Sequence, residues 1–306
     1  MATDYPDPLI IPPLSQPHKQ TFIILHGRGS SGEKFGPALL NTPISTSNSP
    51  PNTAPTTLAS AFPHARFVFP SAARRRAAIY RRAYTHQWFD NWKLDPPATE
   101  REELQEPGLR ETTAYLHELL HREIEQVSGG ARNVVLGGLS QGQAAALTAL
   151  LLWEGDGLAA AFGMCGWLPY TVRLTGQLEL PENEAQLDDE DSFDPFQRDD
   201  ESDEAKGQDS ISDPASRAVS WLRDEIQVYR QENETRMNFQ DTPLFLGHGT
   251  EDEKVNILLG RGASSCLRGL GMRVCWREYQ GLQHWYSGDM LWDIVDFIRT
   301  EARWDI

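Results

Sequence analysis

The sequence predicts an α/β protein with a mostly parallel central sheet and helices on both faces. Short, near-continuously apolar runs alternate with helix-like stretches, as expected for strands buried on both sides. The chain has 306 residues, 39% hydrophobic and 24% charged, enough for one large core. Several chemistry-bearing residues follow directly after apolar runs, at the carboxyl ends of strands, where open sheets of this type place their sites.

The elements follow in order. A strand over Thr21–Leu25 leads through a glycine-rich turn into a helix over Glu33–Leu40. Residues 41–57 are rich in Ser, Thr, Pro and Asn and read as a loop. Strands follow at Arg66–Phe69, Asn133–Leu136, Ala159–Gly163, Pro243–Leu246 and Met272–Tyr279. The helices between and after them are expected at Glu111–Val127, Gln141–Trp153, Ser216–Gln231, Val255–Leu270 and Trp285–Ala302. Residues 182–213 carry 14 carboxylates against Arg198 and Lys206, so most of the net charge of −16 sits there. With few apolar residues, this stretch is expected to be a mobile acidic insert in one domain spanning 1–306.

Composition excludes several classes. A strongly acidic chain is a poor phosphate neutraliser and a poor ligand for anionic lipid. Three scattered cysteines, Cys165, Cys266 and Cys275, make neither a disulfide framework nor a four-ligand zinc site. They point to a reducing compartment. The first residues have no secretory pattern, and the most apolar run, Ala144–Trp153, is too short to span a bilayer. A soluble, cytoplasmic protein is expected.

Three motifs compete for the chemistry. Gly27-Arg-Gly-Ser-Ser-Gly32 is a literal G-x-G-x-x-G after a strand, but no acidic residue lies about 20 positions on to hold a ribose. It reads better as a turn entering a helix, with Ser30 and Glu33 as a capping box. His117-Glu118-Leu-Leu-His121 is a literal H-E-x-x-H, which on a helix presents two zinc ligands and a base. Leu116, Leu119, Leu120, Ile124 and Val127 instead describe an amphipathic covering helix, and no third ligand follows. Gly138-Leu-Ser140-Gln-Gly142 is a G-x-S-x-G between a buried strand and a small-residue helix, the context of a nucleophile elbow.

A serine hydroxyl needs a base, and the base needs an acid to hold its tautomer. After an elbow serine the acid comes first and the histidine last. Asp252 and His284 fit that order, each just past a predicted strand. Two backbone amides should stabilise the oxyanion: Gln141, which follows the serine, and Arg28, in the loop after the first strand.

Taken together, Leu25-His-Gly-Arg-Gly-Ser-Ser-Gly32, Gln87-Trp-Phe-Asp90, Gly137-Gly-Leu-Ser-Gln-Gly142, Gly166-Trp-Leu-Pro169, His248-Gly-x-x-Asp252 and Gly281-Leu-Gln-His284 resemble the carboxylesterase/phospholipase family that includes the acyl-protein thioesterases. The resemblance implies an α/β-hydrolase fold, no cofactor, and cleavage of oxygen esters or thioesters of acyl groups. It implies Ser140 as nucleophile, Asp252 as acid and His284 as base, with Arg28 and Gln141 at the oxyanion positions. Arg28 stands where many members carry an apolar residue, and Gln143 where glycine is common. The same segments bring Trp88, Phe89, Trp92, Trp167 and Leu168 to the site as an apolar lining for acyl chains. Five arginines within Arg74–Arg82 form a solvated face, meet an anionic substrate, or fold back on the acidic insert. The competing expectations are a zinc peptidase using His117, Glu118 and His121, and a silent hydrolase fold serving as a binding scaffold.

Overall fold

A computed structural model of the chain describes residues 4–44, 56–179, 213–228, 237–302 and 304. Most of the predicted loop at 41–57 and nearly all of the acidic stretch 182–213 lie outside the described residues.

The chain begins with β1 (Leu9–Ile11) and β2 (Gln20–Leu25), then α1 (Gly32–Leu40), α2 (Leu58–Ala61) and β3 (Ala65–Phe69). A hairpin of β4 (Arg74–Ala77) and β5 (Ala83–His86) comes next. The order continues with α3 (Glu106–Gln126), β6 (Val134–Leu139), α4 (Gln141–Leu151), β7 (Ala160–Met164), α5 (Thr171–Glu179), α6 (Pro214–Glu225), β8 (Leu244–Gly249), α7 (Ile257–Gly269), β9 (Val274–Tyr279) and α8 (Gly288–Ala302).

Seven strands form the main sheet in the order β1-β3-β2-β6-β7-β8-β9. All neighbours run parallel except the β1·β3 pair. The near-continuous apolar strands have the predicted cause: successive side chains serve opposite faces. On β2, Ile23 and Leu25 join the core beneath α3 and α4, while Phe22 and Ile24 join the core beneath α1 and α8. Leu244 and Leu246 of β8 divide from Phe245 in the same way.

All six predicted strands are present. The three strands not anticipated lie at the margin. β1 is three residues long, sits on the sheet edge and is flanked by Pro8 and Pro12, which suits an edge but carries little signal. β4 and β5 form a separate two-stranded ribbon from the arginine-rich stretch, whose polar residues mask the pairing. Helix α3 starts at Glu106, earlier than predicted, because Pro107 occupies its first turn, where no amide hydrogen is needed. Asp213, counted with the acidic stretch, caps α6 by accepting the Ala215 and Ser216 amides. α5 was not expected and packs against α6 and α7. No helix among the described residues is long and apolar enough to cross a membrane.

The sheet order reverses at β2, since β3 lies on one side of it and β6 on the other. Beyond the carboxyl ends of β2 and β6, where Leu25 pairs with Gly138, a crevice opens. Loops after β8 and β9 reach the same edge.

Candidate active site

Ser140 sits between β6 and α4 with φ 56° and ψ −120°, a strained conformation for a residue with a side chain. Close packing holds it there. A methyl group at Gly138 would come within 2.4 Å of the Gly142 carbonyl carbon, and one at Gly142 within 2.5 Å of the Leu25 oxygen. The flanking glycines of G-x-S-x-G are therefore steric requirements, as expected. The Ser140 amide donates to the Met164 carbonyl at 2.8 Å, tying the turn to β7.

His284 follows β9 and places Nε2 3.0 Å from Ser140 Oγ. Its Nδ1 lies 2.7 Å from Asp252 Oδ2. Asp252 follows β8, and its side chain is wholly enclosed. Its Oδ1 accepts the Lys254 and Val255 amides, each at 2.9 Å. Burial pushes this carboxyl up, but hydrogen bonds from His248, His284 and the Val255 amide outweigh it and hold it well below the usual carboxylate range. His248, four residues earlier on β8, approaches Oδ2 at 3.3 Å; the sequence shows it in the His248-Gly-x-x-Asp252 segment but gives it no role. A hydroxyl, an imidazole and an ionised carboxylate thus stand in a relay that can move a proton off the hydroxyl.

The two predicted oxyanion positions flank the serine. Among the described residues, neither the Arg28 nor the Gln141 backbone N–H has a backbone or side-chain acceptor. The Arg28 amide belongs to the Gly27–Arg28 peptide, and His26 anchors that peptide. The Ala72 amide donates to His26 Nε2 at 3.0 Å, so Nδ1 carries the proton and donates to the Gly27 carbonyl at 2.7 Å. Pinning that carbonyl turns the Arg28 N–H the other way. Burial drives the His26 pKa down to about 4, which keeps the ring neutral as this arrangement requires.

This has a consequence for stability. Free histidine titrates near 6.5, so between about 6.5 and 4 the folded state binds fewer protons than the unfolded chain. The stabilisation from neutral His26 is complete above about pH 6.5 and is lost as pH falls toward 4, a loss of a few kcal/mol. The denaturant midpoint should fall over this range in the wild type, with a shallower slope in His26→Asn. Equal slopes would show that His26 does not titrate in this way.

The predicted aromatic residues divide into two groups. Trp92 and Trp167 line the cleft above Ser140, and Leu168 lines an adjoining cavity. Trp88 and Phe89 are fully buried and line neither. They brace the site instead. Gln141 accepts the Trp88 amide and donates to the Phe89 carbonyl at 2.8 Å, while Trp88 Nε1 donates to the His26 carbonyl at 2.8 Å. Trp285 and Ile79 also line the cleft, though neither was anticipated. The sequence puts Trp285 at the head of the last helix, but α8 begins only at Gly288, which leaves Trp285 in the loop beside His284. Gln143, unusual at its position, accepts the Gly166 amide at 3.0 Å and fills the space above Gly163, where a methyl group would come within 2.5 Å of it.

The H-E-x-x-H segment is not organised as a metal centre. His117 Nε2 lies 2.8 Å from the Ala149 carbonyl, and both His117 and His121 pack on Trp153. Glu118 is exposed. Among the described residues, no group of three or more His, Cys, Asp or Glu side chains converges on one point.

Comparison with known proteins places the chain in a family. The model of the phospholipase/carboxylesterase family matches residues 7–180 and 221–302. Acyl-protein thioesterase 1 of Candida albicans is 25% identical over 299 residues, covering 95% of either chain. Carboxylesterase SOBER1 of Arabidopsis thaliana is 26% identical over 285 residues, covering 93% of this chain and 92% of its own. Among solved structures, Zea mays acyl-protein thioesterase 2 superposes with a TM-score of 0.61 at 18% identity, over 97% of this chain and 100% of its own. Arabidopsis SOBER1 does so with a TM-score of 0.60 at 20% identity, over 92% and 99%. The chain therefore belongs to the phospholipase/carboxylesterase family: it is an α/β hydrolase of the serine type that acts on carboxylic esters or thioesters.

Proposed function

We propose that Ser140, His284 and Asp252 carry out a two-step acyl transfer, with the Arg28 and Gln141 amides as oxyanion donors. The observation that carries this reading is the unbroken relay from Ser140 Oγ through His284 to the buried Asp252. His284 takes the hydroxyl proton as Oγ bonds to the acyl carbon. The carbonyl oxygen takes up the negative charge between the two amides. As the tetrahedral intermediate collapses, the bond to the alcohol or thiol breaks and His284 returns the proton to the leaving atom. Water then attacks the acyl-enzyme, giving its proton to His284, and the free acid departs as Ser140 recovers its hydrogen.

The acyl group extends from Ser140 past Trp92, Leu94 and Trp167 in this reading. These residues are shared with the adjoining cavity of about 400 Å³ that Leu168, Val172 and Leu259 also line. The chain is read as one hydrolase domain carrying 182–213 as an insert, in a reducing, cytoplasmic setting that its free cysteines support.

A series of matched thioesters and oxygen esters of rising acyl length tests the reading. Each added methylene that reaches the cavity contributes up to about 0.8 kcal/mol, so kcat/KM should rise up to about fourfold per methylene and then level off. Leu259→Trp should flatten the rise for long chains and spare the short ones. A wild-type profile that is flat or falls from the shortest ester would contradict the assigned acyl path.

A further inference from the structure

The cleft above Ser140 has the opposite charge to the protein around it. The chain carries −16, yet among the described residues the charged side chains lining this cleft are Arg28 and Lys254, with no Asp or Glu in its wall. Carboxylates lie in the neighbouring spaces: Glu100 and Glu102 in the acyl cavity, and Asp95, Asp252 and Glu253, with Lys93 and Lys254, in an adjoining depression.

Arg28 is the stronger of the two. Among the described residues no carboxylate forms an ion pair with its guanidinium, and its Nε is enclosed without an acceptor. The guanidinium lies 5.8 Å from the centre of the Tyr80 ring, at the tip of the β4–β5 hairpin, and hydrogen-bonds the neutral Tyr80 hydroxyl, which brings no counter-charge. Asp90, the carboxylate whose attraction reaches it, holds the Ala78 amide with both oxygens, at 3.0 Å each. Burial pulls the guanidinium below its ordinary pKa, the mark of a cation that has lost water without gaining a full counter-charge. Half-buried charge is costly unless paired, and an arginine fork matches the planar oxygens of a carboxylate or phosphate. Gly27, next in the chain, packs against the nucleophile: a methyl group there would sit 3.4 Å from Ser140 Cβ. Arg28 and Ser140 line the same cleft, so a group held by the Arg28 side chain lies in the space where the bond breaks.

We propose that Arg28, assisted by Lys254, selects esters or thioesters that carry an oxyanion group, a carboxylate or phosphate, near the scissile bond. This specificity rests on the acyl-transfer reading above. Arg28 then has two separable roles: its backbone amide serves any substrate, and its side chain serves only charged ones. The counter-charge that the fold withholds from the guanidinium is supplied by the substrate.

The test compares charged and neutral twins. On the acyl side, mono-p-nitrophenyl adipate is set against p-nitrophenyl hexanoate. On the leaving side, the hexanoyl esters of m-hydroxybenzoate and of resorcinol monophosphate are set against that of m-hydroxybenzamide. These arms separate an anion on the acid from one on the alcohol, and a carboxylate from a phosphate. At low salt, at least one charged member should show kcat/KM about tenfold above its neutral twin, the size of one charge-assisted hydrogen bond. The advantage should shrink with added salt. Arg28→Leu should abolish the ratio, and Arg28→Lys should retain more of it than Arg28→Leu does. Because the readout is a ratio within each variant, a general loss of activity does not disguise it. Neutral twins equal to or better than every charged member in the wild type would overturn the proposal, as would a ratio that survives Arg28→Leu. Failure of the wild type to turn over any member, neutral or charged, would instead overturn the acyl-transfer reading beneath it.

Discussion

Ser140→Ala should lower kcat/KM for a short p-nitrophenyl ester by about 10⁴-fold or more while leaving a folded protein. The reason lies in how little else Oγ does. Among the described residues its hydrogen-bond partner is His284 Nε2, so removing it forfeits a single hydrogen bond of about 1 kcal/mol. The backbone bond from the Ser140 amide to Met164 is untouched. Alanine tolerates the positive φ no worse than serine does, so the strain of the turn is unchanged. Circular dichroism and a melting temperature within a few degrees of wild type should accompany the loss. A variant that is folded and keeps more than a tenth of the activity would remove Ser140 from the mechanism.

Asp252→Asn should cost nearly as much, about 10⁴-fold, through a change of tautomer. Oδ1 accepts two backbone amides, from Lys254 and Val255, and these donors need an oxygen. The asparagine carbonyl would take that place and turn the amide NH₂ toward His284. His284 Nδ1 must then accept, which moves the ring proton to Nε2, facing Ser140. The base would be present, at the right distance, and already protonated. The two loop amides keep their acceptor, so the fold should persist. A loss of less than tenfold would show that the carboxylate does not set the tautomer.

Much of this was legible in the chain because the signals were local. Val134–Leu139, Ser140 and the small residues of α4 spell strand, sharp turn and buried helix, and the structure has them in that order. Asp252 and His284 could be picked out because both follow apolar runs that become β8 and β9. Other features depend on contacts that no local pattern carries. Trp88 and Phe89 lie in the same segment as Trp92, yet only Trp92 reaches the cleft, because Gln141 binds the backbone of the other two from across the site. The anchoring of the Gly27 carbonyl by His26 depends on Ala72, 46 residues away. For the arginine-rich stretch the sequence leaves a solvated face, contact with an anionic substrate and contact with the acidic insert open. Arg74, Arg81 and Arg82 are exposed, but Arg75 pairs with Glu111 and Tyr5, and the hairpin tip delivers Ile79 and Tyr80 to the cleft. Pairing a polar ribbon needs a partner strand, and hydropathy does not announce one.

The central claim is that His284 activates the hydroxyl of Ser140, and covalent trapping tests it most directly. The wild-type protein is treated with a fluorophosphonate and digested, and the adduct is located by mass spectrometry. The account predicts one rapid adduct on Ser140, absent in Ser140→Ala and slowed by orders of magnitude in His284→Ala. A folded wild-type protein that stays unlabelled, or that carries the adduct on a different serine, would contradict it.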